Sequence, residues 1–174
     1  MFEKLQTLSK KNTVTASDFS SALQLLKALE ANFCTDYIIK KNDVDSVIAG
    51  RTYLFGEICI KNNSADAVKE YINYIKRHHT SAEKQISTSF EKLFVERPED
   101  VLSAIGDDED LLNRLELGFV NNHAHLTSKN YKAVFYRVNP QIKHIYSKYK
   151  KAIDYLLGEI GGQLKNPESN KKVS

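Results

Sequence analysis

The spacing of apolar residues constrains this fold more than any other feature of the sequence. Along most of the chain these residues recur three and four positions apart, which is the period of a helix with one buried face. The chain has only seven glycines and three prolines in 174 residues, few for a protein built from short strands and tight turns. We find no alternating strand pattern. The sequence therefore predicts an all-α fold.

Local signals divide the pattern into seven to eight amphipathic helices. Thr15 and Asp18 form a capping-box pattern before the first strong helix. Pro98 starts a short helix that Gly106 ends, as proline and glycine do at these two positions. Asn139 followed by Pro140 separates two later helices.

Two further boundaries are predicted in the long apolar segments. Thr80 and Glu83 form a second capping-box pattern, so we expect a break or kink near His79. The last helix is predicted to run without interruption from Pro140 to a stop at Gly161 and Gly162.

The length suits one domain with a substantial core. We predict a single all-α domain over residues 1–164 and a disordered polar tail over 165–174. Short links imply that successive helices are antiparallel, and they fit either a closed bundle or a short helix-pair solenoid. Cys34 and Cys59 lack any metal-binding spacing; buried thiols are expected, and a disulfide between them stays open.

No apolar run approaches the roughly 18 residues that a membrane span needs, and the first residues do not resemble a signal peptide. We take a cytoplasmic location as the default. An extracytoplasmic location stays open if a signal peptide has been removed. No motif for a cofactor is present, and we predict none.

The stretch LELGFVNNHAHL carries two of the five histidines, His123 and His125, and His78 and His79 are adjacent elsewhere. These four are the candidates for a metal or catalytic site. Two ligands on one helix face would stand three or four residues apart, which neither pair does. Both pairs follow predicted helix ends, where basic side chains meet unsatisfied carbonyl oxygens. We favour this capping interpretation.

Charge is unevenly distributed along the chain. Residues 91–116 hold nine acidic and three basic residues, a net charge of −6, whereas residues 127–174 hold ten basic and three acidic residues, a net charge of +7. Two faces of one fold could attract each other in this way, or the charges could face a partner. The candidate partner-binding residues are Asp107, Asp108, Glu109, Asp110, Lys148, Lys150 and Lys151.

The sequence favours a non-enzymatic helical module that binds another protein, of the adaptor, inhibitor or toxin-neutralising kind. One alternative is a metal-dependent enzyme that uses the four histidines. The other is weak binding of nucleic acid or an anionic surface by the lysines of the last helix, with Tyr146 and Tyr155 available for stacking. The sequence leaves the oligomeric state open.

Overall fold

A computed structural model describes residues 1–31, 41–77 and 83–165 of the chain. These residues form helices joined by short links, and no strand occurs among them. The all-α prediction is confirmed, with ten helices in place of seven to eight. Their bounds are α1 Phe2–Ser9, α2 Ala16–Ala31, α3 Lys41–Lys61, α4 Ala65–Arg77, α5 Glu83–Glu96, α6 Pro98–Ile105, α7 Glu109–Asn122, α8 Tyr131–Val138, α9 Ile142–Ile145 and α10 Lys150–Lys165.

Several helix ends are capped, and the caps at Thr15 and Gly106 are the predicted ones. The hydroxyl of Thr15 accepts from the Asp18 amide at 3.2 Å, and the Asp18 carboxylate accepts from the Thr15 amide at 3.1 Å. The Asp108 carboxylate caps α7 by accepting from the Leu111 amide at 3.2 Å. Gly106 ends α6 with a φ of +57°, a conformation that glycine adopts without strain. Local sequence therefore sets these boundaries.

Other boundaries differ from the prediction. The first helix, α1, is short and buries only Leu5 and Ser9, too few residues to produce a clear periodic pattern. The predicted break near His79 and the predicted tail fall mainly on residues 78–82 and 166–174, outside the described residues. Lys165, placed at the start of that tail, is the last residue of α10.

The prediction of one uninterrupted last helix is wrong. A turn over residues 146–149 separates α9 from α10. The amides of Lys148 and Tyr149 both donate to the Ile145 carbonyl, so the turn retains helix-like hydrogen bonding. The apolar residues therefore keep their helical spacing across the turn, and the sequence pattern does not reveal the break. Gly161 does not stop α10 but is buried within it. A Cβ on Gly161 would lie 2.6 Å from the Tyr131 hydroxyl, so this glycine serves helix packing.

Five helices, α1, α3, α5, α7 and α10, contact one another in that order. Side-chain pairs between neighbours advance in the same direction along both helices. Tyr155 donates to Asn113 at 3.1 Å, and Gln163, two turns later, donates to Glu116 at 2.9 Å. Neighbours in this row are therefore parallel. The connecting helices α2, α4 and α6 pack against them.

Most of these helices contribute to one continuous core. Its largest side chains are aromatic, and their rings contact one another across helices. The Phe55 and Tyr74 rings meet edge to face at 5.7 Å, as do Phe119 and Phe135 at 5.5 Å. Rings of this size bury much apolar surface and favour such tilted contacts. The fully buried large residues are Leu5, Phe55, Ile58, Tyr71, Tyr74, Ile75, Ile86, Phe90, Leu93, Phe94, Phe119 and Phe135.

Helices α5 and α7 approach each other closely at Gly118. A Cβ on Gly118 would lie 2.1 Å from the Ser87 carbonyl oxygen and 2.8 Å from the Glu91 Cβ. No side chain fits there, because the nearest obstacle is helix backbone. Gly118 thus permits the contact that sets the position of the end of α7 against α5.

We expect Gly118→Ala to lower the free energy of unfolding by about 1–3 kcal/mol or more, since the helices must separate to accept a methyl group. Gly158→Ala is the matched control, because this exposed glycine of α10 has no atom within 4 Å of its Cβ position. It should stabilise the protein by up to about 1 kcal/mol through helix propensity. Urea unfolding measures both changes. A Gly118→Ala protein as stable as the parent would contradict the close contact.

Candidate functional site

Five of the seven predicted partner-binding residues form ion pairs within the fold. Asp107 pairs with Lys151 at 2.6 Å, and Asp108 pairs with Lys76 at 2.7 Å. The remaining two lysines also have partners, Lys148 with Glu99 at 2.8 Å and Lys150 with Asp154 at 2.5 Å. Glu109 and Asp110 are exposed in the first turn of α7.

Two of these pairs join the acidic segment 91–116 to the basic segment 127–174. The bridges from Asp107 and Glu99 join the α6–α7 region to the residues around α9 and α10. Both bridges are largely exposed, so each contributes little to the stability of the fold. Exposed pairs of this kind also exchange readily with a partner's charges, so the binding role of these residues stays a prediction.

The last-helix aromatics are likewise engaged within the fold. The Tyr146 hydroxyl donates to Asp154 at 2.6 Å, and the Tyr155 hydroxyl donates to Asn113 at 3.1 Å. Both bonds hold the rings near the protein surface at fixed positions. The binding of nucleic acid by this helix remains an untested alternative.

The four candidate histidines are only partly described. His78 and His79 lie outside the described residues. In the part of the chain that the structure covers, no three His, Cys, Asp or Glu side chains are grouped so that they could hold a metal ion. His125 is exposed, and its backbone carbonyl accepts from the Asn130 amide group at 3.0 Å. The metal-site alternative, which needs the four histidines to meet, therefore remains untested.

His123 is the C-terminal cap residue of α7, as expected of a histidine at a helix end. Its ring, however, does not bond helix carbonyls. The Nε2 atom lies 3.2 Å from Oε1 of Glu91 on α5, and the Phe119 ring lies 4.5 Å from the imidazole centre. An ionised carboxylate can only accept, so a hydrogen bond between these two atoms requires the proton on Nε2. The side chain is held by one hydrogen bond and one aromatic contact.

Glu91 is a buried carboxylate, with 4% of its surface exposed. Its second oxygen accepts from the Asn122 amide group at 2.6 Å. The same amide group donates to the Thr88 carbonyl at 3.2 Å. Burying a carboxylate is costly unless donors satisfy it, and the end of α7 supplies both donors. Glu91 therefore fixes Asn122 and His123 against α5.

His123 opens onto a groove between the end of α7 and α8. The groove has a volume of about 680 Å³, and its lining includes His123, His125, Leu126, Asn130, Val134 and Arg137. This size is in the range of small-molecule sites. The stretch that singled out His123 and His125 in the sequence thus lines a concave surface with mixed polar and apolar walls.

A second groove lies between α3 and α5. It has a volume of about 530 Å³ and is lined by Ala49, Gly50, Tyr53, Lys84, Thr88 and Ser89. Tyr53 is half exposed, at 50%. The Phe2 ring of α1 is adjacent, since a Cβ on Gly50 would lie 3.7 Å from its tip. Exposed aromatic side chains therefore flank this groove.

Glu116 is a third unusual group, a carboxyl that is 5% exposed between α7 and α10. One oxygen accepts from Gln163 at 2.9 Å, and the other has no hydrogen-bond partner. Burial, aided by the charge of Glu159, raises the pKa of Glu116 to about 7. The raised pKa means that folding disfavours the ionised form.

We expect the contribution of Glu116 to the free energy of unfolding to fall as the pH rises from about 4.5 to about 7. These values are the ordinary pKa of Glu116 and its raised pKa. The folded protein holds the proton more tightly, so the stabilisation is full below this interval and lost above it. At pH 8, Glu116→Gln should raise the free energy of unfolding by roughly 1–3 kcal/mol.

Unfolding curves at pH 5 and pH 8 measure the effect, and Glu3→Gln, at an exposed residue of α1, is the control. The difference in free energy of unfolding between the parent and Glu116→Gln should change between pH 5 and pH 8. The difference between the parent and Glu3→Gln should not change. An equal response of both variants to pH would contradict the assignment.

Sequence reasoning missed Glu91, Glu116 and Arg137. A usable signal existed for the two glutamates, because each falls within an apolar stripe. Glu91 stands four residues after buried Ser87 and three before Phe94, and Glu116 stands four after Leu112 and three before Phe119. An acidic residue in such a stripe indicates a buried polar contact. Arg137 gave no comparable signal, because its place in the groove depends on tertiary packing.

No helix within the described ranges is both long and apolar enough to cross a bilayer. Comparisons with known proteins add no family to this description: no family model, curated protein or solved structure matches the chain.

Proposed function

We propose that this chain is a non-enzymatic helical module that binds another protein, built as a short stack of helix pairs. The observation that carries the proposal is the apolar groove between α3 and α5, with Tyr53 half exposed beside it. The parallel row of alternate helices supports the stack. Such stacks offer extended surfaces to partners.

The aromatic residues around the groove are of the kind that anchors protein interfaces. Met1, Phe2 and Tyr53 are the large hydrophobic residues that the described segments leave exposed. Two of these three lie near Gly50 of α3: the Phe2 ring approaches this glycine, and Tyr53 lies on α3 itself. Concentration of exposed apolar side chains around one concave surface is typical of a binding site, and tyrosine is enriched among residues that dominate binding energy.

Charge at the groove favours an acidic partner segment. Lys84 lines the groove and is exposed. The Lys92 ammonium lies 5.9 Å from the centre of the Tyr53 ring and pairs with Glu57. A bound segment would place a large apolar side chain against Tyr53 and a carboxylate near Lys84. We therefore commit to a partner segment that combines apolar and acidic residues.

The charges predicted from the sequence define a separate surface. Asp107 and Lys151, joined by an exposed ion pair, belong to it. Neither residue lines the α3–α5 groove. Charge reversal at Lys148 and Lys151 is therefore a suitable control for binding at the groove, and it also tests the partner-binding role of these lysines.

Selection from a library of displayed random peptides tests the proposal. Against the immobilised full chain, we expect enrichment of peptides with a large apolar residue close to Asp or Glu. Tyr53→Ala and Lys84→Glu should each weaken a selected consensus peptide by about tenfold, as loss of an interface anchor does. The Lys148→Glu, Lys151→Glu double variant should bind it unchanged.

Two results would overturn the proposed site. One is the absence of any enriched peptide, and the other is a peptide that binds the parent and the Tyr53→Ala protein equally well. If only the Lys148→Glu, Lys151→Glu variant fails to bind the consensus peptide, the binding site is the charged surface and not the groove. Because Tyr53 is half exposed, its truncation should leave the folded state intact, which thermal unfolding verifies.

A further inference from the structure

We propose that the groove between the end of α7 and α8 binds a small molecule that carries a phosphate or carboxylate group on an apolar body. The oxyanion would meet Arg137 and the His123 ring, and the body would lie against Leu126 and Val134. This site is separate from the α3–α5 groove and does not depend on the proposed function.

His123 has a fixed orientation before any ligand arrives. Its Nε2 atom is committed to Glu91, and the Phe119 ring packs against the imidazole. The Nδ1 atom has no hydrogen-bond partner among the described atoms. A ring held in this way donates from Nδ1 when it is protonated, and it accepts when it is neutral. Such preorganisation lowers the entropic cost of binding.

The charge of the groove lining favours an anion. Arg137 is exposed and pairs with no carboxylate in the described part of the chain. His125 lines the same groove, and the lining contains no acidic residue. Glu91 lies behind His123, where it is buried and bonded to two side chains. A guanidinium is the side chain best suited to bind the oxygens of a phosphate or carboxylate.

Two other residues of the lining suit an apolar group. Leu126 and Val134 are half buried and also contact the hydrophobic core. Asn130 is held by Thr127, whose amide donates to its side-chain oxygen at 2.8 Å. The lining of the groove thus combines cationic and apolar side chains. At about 680 Å³, it has room for a ring larger than the oxyanion itself.

Titration of the full-length protein followed by NMR tests the proposal. The probes are phenyl phosphate, benzoate and inorganic phosphate, and the readout is the imidazole resonances of His123 and His125. We expect phenyl phosphate or benzoate to shift both resonances saturably, and the tighter of the two identifies the oxyanion. Inorganic phosphate should bind more weakly because it has no apolar body. The resonance of His144, exposed on α9, should not move.

Arg137→Gln should weaken the tighter probe by about tenfold, as expected for loss of a charge-assisted contact. Lys132→Gln removes one positive charge from the same helix at an exposed residue outside the groove lining, and it should change the affinity less than about twofold. Equal weakening by both variants would overturn the proposal. Shifts of His144 that parallel those of His123, or no saturable shift with any probe, would overturn it as well.

Discussion

The close approach of α5 and α7 at Gly118 and Ser87 is the contact on which the remaining geometry depends. A Cβ at Gly118 would lie 2.1 Å from the Ser87 carbonyl oxygen, so the backbones of the two helices are in contact at this glycine. One turn beyond this contact, Glu91 lies opposite Asn122 and accepts its hydrogen bond. His123 follows directly. The helix contact therefore sets the place of the buried carboxylate, and the carboxylate sets the orientation of the histidine ring.

Buried polar groups give this helical protein its specific local geometry. Apolar stripes bring the helices together, but they leave rotation and sliding weakly determined. The Glu91 carboxylate requires donors from α7, and Arg114 of α7 donates to the Ile75 carbonyl at the end of α4 at 3.0 Å. Each of these contacts has a single satisfactory arrangement. Glu116 differs, because one of its oxygens has no partner, and burial is reflected in its raised pKa.

Local signals in the sequence predicted the helical class and several boundaries, including the cap at Thr15 and the helix end at Gly106. They failed where a turn keeps helix-like hydrogen bonding, as between α9 and α10, and where a glycine serves packing, as at Gly161. The histidine stretch was identified as a candidate, yet its partner Glu91 lies 32 residues away. Spacing along one helix carries no information on such a pairing, which depends on how α5 and α7 pack.

A double-mutant cycle between Glu91 and His123 tests the central claim most directly, namely that the α5–α7 contact holds the His123 ring through a buried carboxylate. The free energies of unfolding of the parent, Glu91→Gln, His123→Gln and the double variant give the coupling between the two side chains. We predict a coupling of about 1–3 kcal/mol, as for a hydrogen bond to a charged group. Additive effects of the two substitutions would contradict the account.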